Sequence, residues 1–139
     1  MNYISVPRAL CATGLNGYSD EGQAAKEAFH REGVKFLSAL AKALGLKAGT
    51  YDVRSNKAGM AVSGEVTLHS DDLYLQLSES CMGPGVKAMY RTCDSRKDCC
   101  GHQNHFADIE KFKGADAQKQ LVDQLRRMVE QVQAKKVAA

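Results

Sequence analysis

Met60-Ala61-Val62-Ser63-Gly64-Glu65-Val66-Thr67-Leu68-His69 alternates without interruption, with Met60, Val62, Gly64, Val66 and Leu68 on one side and Ala61, Ser63, Glu65, Thr67 and His69 on the other. A period of two matches a half-buried strand, because successive strand side chains point to opposite faces, and a helix has no use for it. Tyr51 and Val53 alternate just before this stretch. Leu73, Leu75 and Leu77 alternate just after it, across the polar tetrad His69-Ser70-Asp71-Asp72. Tight polar connections between alternating runs predict consecutive antiparallel strands, and Val86 to Thr92 supplies a fourth run beyond the loop Cys81-Met82-Gly83-Pro84-Gly85. If Val62, Val66, Leu73, Leu75 and Leu77 point inward, then Ser63, Glu65, Thr67, His69, Tyr74, Gln76 and Ser78 share the outward face.

The inward face needs a cover, and the flanking sequence provides two amphipathic helices. The first is expected from Asp20, with Gln23 in the capping-box position, to about Leu44, its stripe formed by Phe29, Phe36, Leu37, Leu40 and Leu44. Gly33 lies near that stripe, where glycine costs a helix about 1 kcal/mol relative to alanine, and a close approach of the sheet backbone would account for it. Gly45 fits the left-handed position past the helix end, with Leu46 as the apolar residue that follows it. The second helix is expected from Ala115 or Asp116 to Lys135, since Leu121, Leu125, Met128 and Val132 recur at helical spacing with Val122 and Val129 beside them. Between sheet and second helix, Phe106, Ile109 and Phe112 recur every three residues after Asn104. This spacing predicts a short helix with its aromatics in the core, ended by Gly114. Residues 1 to 18 are expected to form an irregular arm. The expected fold is therefore α+β, one domain: an antiparallel β-meander of three to four strands covered by an N-terminal helix and a long C-terminal helix.

At 139 residues the chain can bury roughly 68% of its unfolded surface, so no metal or disulfide is needed to hold it together. No apolar run approaches the roughly 18 residues of a membrane span. The opening Met1-Asn2-Tyr3-Ile4-Ser5-Val6-Pro7-Arg8 lacks the basic and apolar regions of a secretory signal, so an intracellular setting is expected, with the five cysteines as free thiols. A net charge of +3 permits an acidic partner without identifying nucleic acid as that partner.

Chemistry concentrates in Cys93-Asp94-Ser95-Arg96-Lys97-Asp98-Cys99-Cys100-Gly101-His102-Gln103-Asn104-His105. Cys93, Cys99 or Cys100, His102 and His105 carry the sulfur and nitrogen that zinc prefers, but there is no Cys-x-x-Cys knuckle and the adjacent cysteines would point apart in an extended chain. No metal or cofactor is expected. Cys100 with His102 or His105 has the residue types for thiol catalysis, without a surrounding signature that would hold nucleophile and base together. The tetrad at His69 is explained by a polar turn. Lys87, Arg91, Arg96 and Lys97 bring four cations against Asp94, so this corner is a candidate contact for phosphate or for an acidic protein surface.

The segment Arg91-Thr92-Cys93-Asp94-Ser95-Arg96-Lys97-Asp98, with Gly101 and Asn104-His105-Phe106 behind it and Arg54-Ser55-Asn56 and Val62 to His69 ahead of it, resembles a group of small proteins carried by bacteriophages and mobile elements of proteobacteria. The resemblance covers about residues 49 to 106. In that group Asp-Tyr-Thr-Gly-Gly stands where this chain has Asp98-Cys99-Cys100-Gly101-His102, so the two cysteines and His102 are local departures. The resemblance implies no catalytic residue. Proteins of this size and setting include inhibitors of host defence, anti-CRISPR proteins among them. The leading expectation is thus a non-enzymatic accessory protein in the cytoplasm of a bacterial host cell, binding and inhibiting a host protein or ribonucleoprotein complex. The residues expected to bind are Tyr74 and Gln76 on the outward face and Lys87, Arg91, Arg96, Lys97, Asp98 and Asn104 around the basic loop. A nucleic-acid-binding module using loop 87–97 is the alternative, distinguished by steep salt dependence. A small zinc or thiol enzyme ranks third, distinguished by bound metal. The oligomeric state is left open.

Overall fold

A computed structural model of the chain describes residues 20–57, 64–79, 86–98, 102–108 and 114–138. Helix α1 (Asp20–Ala43) leads into a five-stranded sheet, β1 (Tyr51–Asn56), β2 (Glu65–Ser70), β3 (Leu73–Glu79), β4 (Val86–Thr92) and β5 (His105–Asp108), and helix α2 (Ala115–Ala138) follows. The strands lie side by side in chain order, every neighbouring pair antiparallel. The architecture is α+β, with one strand more than the sequence reading allowed. Expectations for the arm at residues 1 to 18, Met60 to Ser63, the loop at Cys81, Cys99, Cys100, Ile109 and Phe112 concern positions outside the described residues.

The alternation sorts the strands as read. Val66, Leu68, Leu73, Leu75 and Leu77 are at most 1% exposed, whereas Glu65, Thr67, His69, Tyr74, Gln76 and Ser78 are half-buried on the opposite face. Burying each of these large apolar side chains contributes about 1.5–3 kcal/mol, so the inner face and the helix stripes that meet it dominate the driving force. Phe29, Phe36, Leu37 and Leu40 of α1 and Leu121, Val122 and Leu125 of α2 join the same cluster, and Ala88 and Tyr90 of β4 extend it. Both helices therefore cover one face of the sheet. His30 Nδ1 meets Ser55 Oγ at 2.7 Å, fixing α1 over β1, and Gln124 Nε2 donates to Tyr90 Oη at 3.3 Å, fixing α2 over β4.

Glycines act at three points. An added Cβ at Gly33 would meet Val66 Cγ2 at 3.0 Å, so the helix approaches the sheet closely there; the neighbour is a side chain and not the expected backbone. Gly45 closes α1 with φ 76°: its N–H donates to Lys42 O at 3.0 Å and the Leu46 N–H to Ala41 O at 3.1 Å, the paired bonds of a Schellman turn. Gly64 has φ 68° immediately before β2, which begins at Glu65.

The segment after the basic loop departs from expectation. His105–Asp108 is a strand, paired Tyr90↔His105, Met89↔Phe106, Ala88↔Ala107 and Lys87↔Asp108. Pairing satisfies the backbone groups along the free edge of β4, which a helix would leave unmatched. The same register corrects Phe106, expected in the core: it stands opposite Met89 on the outer face and is 69% exposed. Helix α2 begins at Ala115 as expected and runs three residues past Lys135, to Ala138.

Candidate functional site

The face of the sheet opposite the helices has no described element packed on it. Register orders it into rows across the strands. Asp52, His69, Tyr74 and Arg91 form the first, and Arg54, Thr67, Gln76, Met89 and Phe106 the second. Asn56, Glu65, Ser78, Lys87 and Asp108 occupy the third. Sequence reading had joined Tyr74 and Gln76 to this face but left out Phe106 and Met89. The signal that would have found them is the alternation Phe106/Ala107 continuing the outward positions of β4.

Tyr74 is the best-fixed side chain of the face. The His69 ring meets it edge-on at 5.2 Å between centroids, the Arg91 guanidinium lies over it at 4.9 Å, and its hydroxyl donates to Gln76 Oε1 at 2.9 Å. Gln76 Nε2 continues the chain to Ser78 Oγ at 3.5 Å. A cation over an aromatic face contributes about 0.5–1 kcal/mol at an exposed site, and Arg91 is held besides by Nη1 donating to Asn104 Oδ1 at 2.9 Å. Tyr74, Gln76, Arg91 and Asn104 thus form one connected, pre-ordered unit. Such ordering lowers the entropy lost when a partner binds. Phe106 and Met89 sit one row away, giving the β4–β5 side of the face an apolar patch beside a polar anchor.

The basic loop is bound into the fold. Arg96 Nη1 donates to Gly49 O at 3.0 Å, and the guanidinium lies 3.8 Å from both the Asp52 and the Asp71 carboxylates. Ser95 and Asp98 form an isolated bridge, with the Asp98 N–H donating to Ser95 O at 3.2 Å, and Ser95 O also pairs with His69 Nε2 at 3.0 Å. Lys97 and Asp98 are exposed. Lys87 takes a register position in the third row and Arg91 one in the first, about 13 Å apart along the strand at 3.3 Å per residue. Arg91 over Tyr74 and Arg96 at Asp52 and Asp71 are thus engaged at separate places, and Lys97 is exposed.

The described sulfur and nitrogen groups of this segment, those of Cys93, His102 and His105, are used separately. Cys93 is fully buried, its thiol donating to Ser70 O at 3.3 Å and its N–H to Asp72 O at 3.0 Å. His102 sits between Thr92 Oγ1 and Asp94 Oδ1, each at 2.8 Å, and His105 stacks on Tyr90 at 5.3 Å. Among the described residues no group of three or more His, Cys, Asp or Glu side chains is placed to hold a metal ion. The tetrad His69–Asp72 is the end of β2 and its turn: Ser70 Oγ accepts the Leu73 N–H at 3.1 Å, and the Asp72 carboxylate receives Gln133 at 2.9 Å and Lys136 at 2.7 Å from α2. No helix among the described residues is long and apolar enough to cross a membrane. Comparison with protein-family models, curated proteins and solved structures finds no match to this chain.

Proposed function

We propose that this chain is a non-enzymatic binding protein that docks a protein component of a host macromolecular complex on the helix-free face of its sheet, in the manner of accessory inhibitors carried by phages and mobile elements. The observation that carries the reading is Phe106, 69% exposed in the row with Met89 and beside the Tyr74–Arg91 unit. Aromatic residues, methionine and arginine are the types enriched at protein interfaces, and a large apolar ring held in water is stabilised by being covered. Cations on and beside the face are matched by carboxylates, with Arg54 3.6 Å from Asp52 and the loop residue Arg96 3.8 Å from Asp52 and from Asp71. That pattern favours a protein surface over a phosphate backbone, which demands cations in excess. An anti-CRISPR role, with a ribonucleoprotein effector as the complex, is the specific form of this proposal.

The test is capture of partners from host lysate by the tagged chain, in parallel with Phe106→Ser and with a helix-surface control, Glu130→Gln. The expected result is a defined host complex retained by the parent and the control and lost by Phe106→Ser. Truncating a central interface aromatic weakens binding by about 2 kcal/mol or more, roughly 30-fold. Retention of the same complex by Phe106→Ser would remove the face from consideration. Binding that survives in Phe106→Ser but collapses between about 50 and 200 mM salt would favour nucleic acid instead.

A further inference from the structure

We propose that the cleft between α1 and the end of β1 binds a small phosphomonoester. This site is independent of the helix-free face. The cleft has a volume of about 490 Å³, within the roughly 300–1,000 Å³ of small-molecule sites. On its α1 side, Arg31 and Lys35 stand one turn apart, and Lys57, just past β1, lines the cleft with its Nζ 2.6 Å from Glu27. Like charges at this spacing repel, an arrangement that an anion bound between them relieves. The carboxylate Glu32 lies 3.7 Å from Arg31 Nε and 3.6 Å from Lys35 Nζ, beyond hydrogen-bond length, so it moderates their charge without saturating their donors. Glu27 also lines the cleft and is held at 2.6 Å by Lys57, which draws its carboxyl below the ordinary glutamate range.

Polar groups of a second kind line it as well. His30 is only 2% exposed and its Nδ1 meets Ser55 Oγ at 2.7 Å, so a buried imidazole fixes a hydroxyl that itself reaches the cleft. Arg31 presents a planar fork and Lys35 an ammonium group, and the Lys57 ammonium keeps two of its three N–H groups beyond the one on Glu27. Three cations against Glu27 and Glu32 thus leave an excess of positive charge for a phosphate dianion, and the Ser55 hydroxyl donates as well when His30 Nδ1 carries the proton. Val34 adds an apolar wall. Phosphate carried on an organic body therefore fits better than inorganic phosphate alone.

Titration of the isotope-labelled full chain with phenyl phosphate, inorganic phosphate and acetate, followed by amide chemical shifts, tests the proposal. Expected are saturable shifts confined to residues 27–35 and 55–57, tightest for phenyl phosphate, weaker for inorganic phosphate and absent for acetate. Arg31→Gln/Lys35→Gln should weaken phenyl phosphate at least tenfold with an otherwise unchanged spectrum, whereas Lys42→Gln, an exposed cation of α1 that does not line the cleft, should leave it unaltered. The proposal is overturned if no saturable shift appears up to about 10 mM phenyl phosphate, a range in which even millimolar binding is detected. It is equally overturned if Lys42→Gln weakens binding as much as Arg31→Gln/Lys35→Gln, because general charge attraction would then explain the effect.

Discussion

Replacing Gly33 by alanine sets two effects of known size against each other. In an exposed helix the substitution stabilises by about 1 kcal/mol, because glycine loses more backbone freedom on folding. Here the new methyl would lie 3.0 Å from Val66 Cγ2, 3.4 Å from its Cβ and 3.6 Å from its Cγ1. Relief is difficult. Valine is stiff at χ1, and Val66 is fully buried and paired on one side with Ser55 and on the other with Leu77. Helix α1 is itself held over β1 by His30 and Ser55. Overpacking of this kind costs about 1–3 kcal/mol, so Gly33→Ala should be destabilising by about 1 kcal/mol net. With a urea m-value of about 1–3 kcal/mol/M, the unfolding midpoint should fall by roughly 0.3–1 M. Val66→Ala removes the two methyl groups that oppose the new Cβ. In that background Gly33→Ala should become stabilising by about 1 kcal/mol, and the sign reversal is the signature of direct contact. A midpoint that rises in the parent background would refute the close packing of α1 on β2.

Gly64→Ala should cost about 2–3 kcal/mol in urea unfolding, since the residue has φ 68° and an added Cβ would overlap the Asn56 carbonyl oxygen, which backbone cannot yield cheaply. The Glu27 carboxyl, followed by NMR, should titrate below the ordinary glutamate value of 4.5, and Lys57→Met should return it to that value. Its folded-state affinity for protons is lowered, so the Lys57–Glu27 pair supports folding above the ordinary glutamate range and its contribution fades as pH falls through the folded-state value. Protein purified without added metal should carry substoichiometric zinc by elemental analysis, and Cys99→Ser and Cys100→Ser should stay folded by circular dichroism. One zinc per chain with unfolding by a chelator would reverse that expectation, because small zinc domains draw roughly 10–16 kcal/mol of folding energy from the metal.

What was legible in the sequence follows from how local each feature is. The stripes of both helices, the Gly45 turn and the burial of Val66, Leu73, Leu75 and Leu77 are set by periodicity within a few residues, and they appear where the pattern places them. Strand β5 is only four residues long, and the three-residue recurrence of Phe106, Ile109 and Phe112 suggested a helix. Its conformation is decided by pairing with β4, which no short window contains. Phe106 changed sides for the same reason. Arg96 read as part of a candidate contact for phosphate or an acidic surface because Lys97 and Asp94 are its charged neighbours in the chain, whereas its partners in space are Gly49, Asp52 and Asp71. The His30–Ser55 contact spans 25 positions and left no trace in spacing.

The most direct measurement of the central claim is site-specific photo-crosslinking in the host cell. A photoreactive residue is placed in turn at Arg54 and Phe106 on the helix-free face, and at Lys42 and Glu130 on the exposed sides of the helices. The helix-free face as docking surface predicts adducts with one and the same host protein from positions 54 and 106 and none from 42 and 130. Adducts arising from the helix positions, with none from 54 and 106, would contradict it.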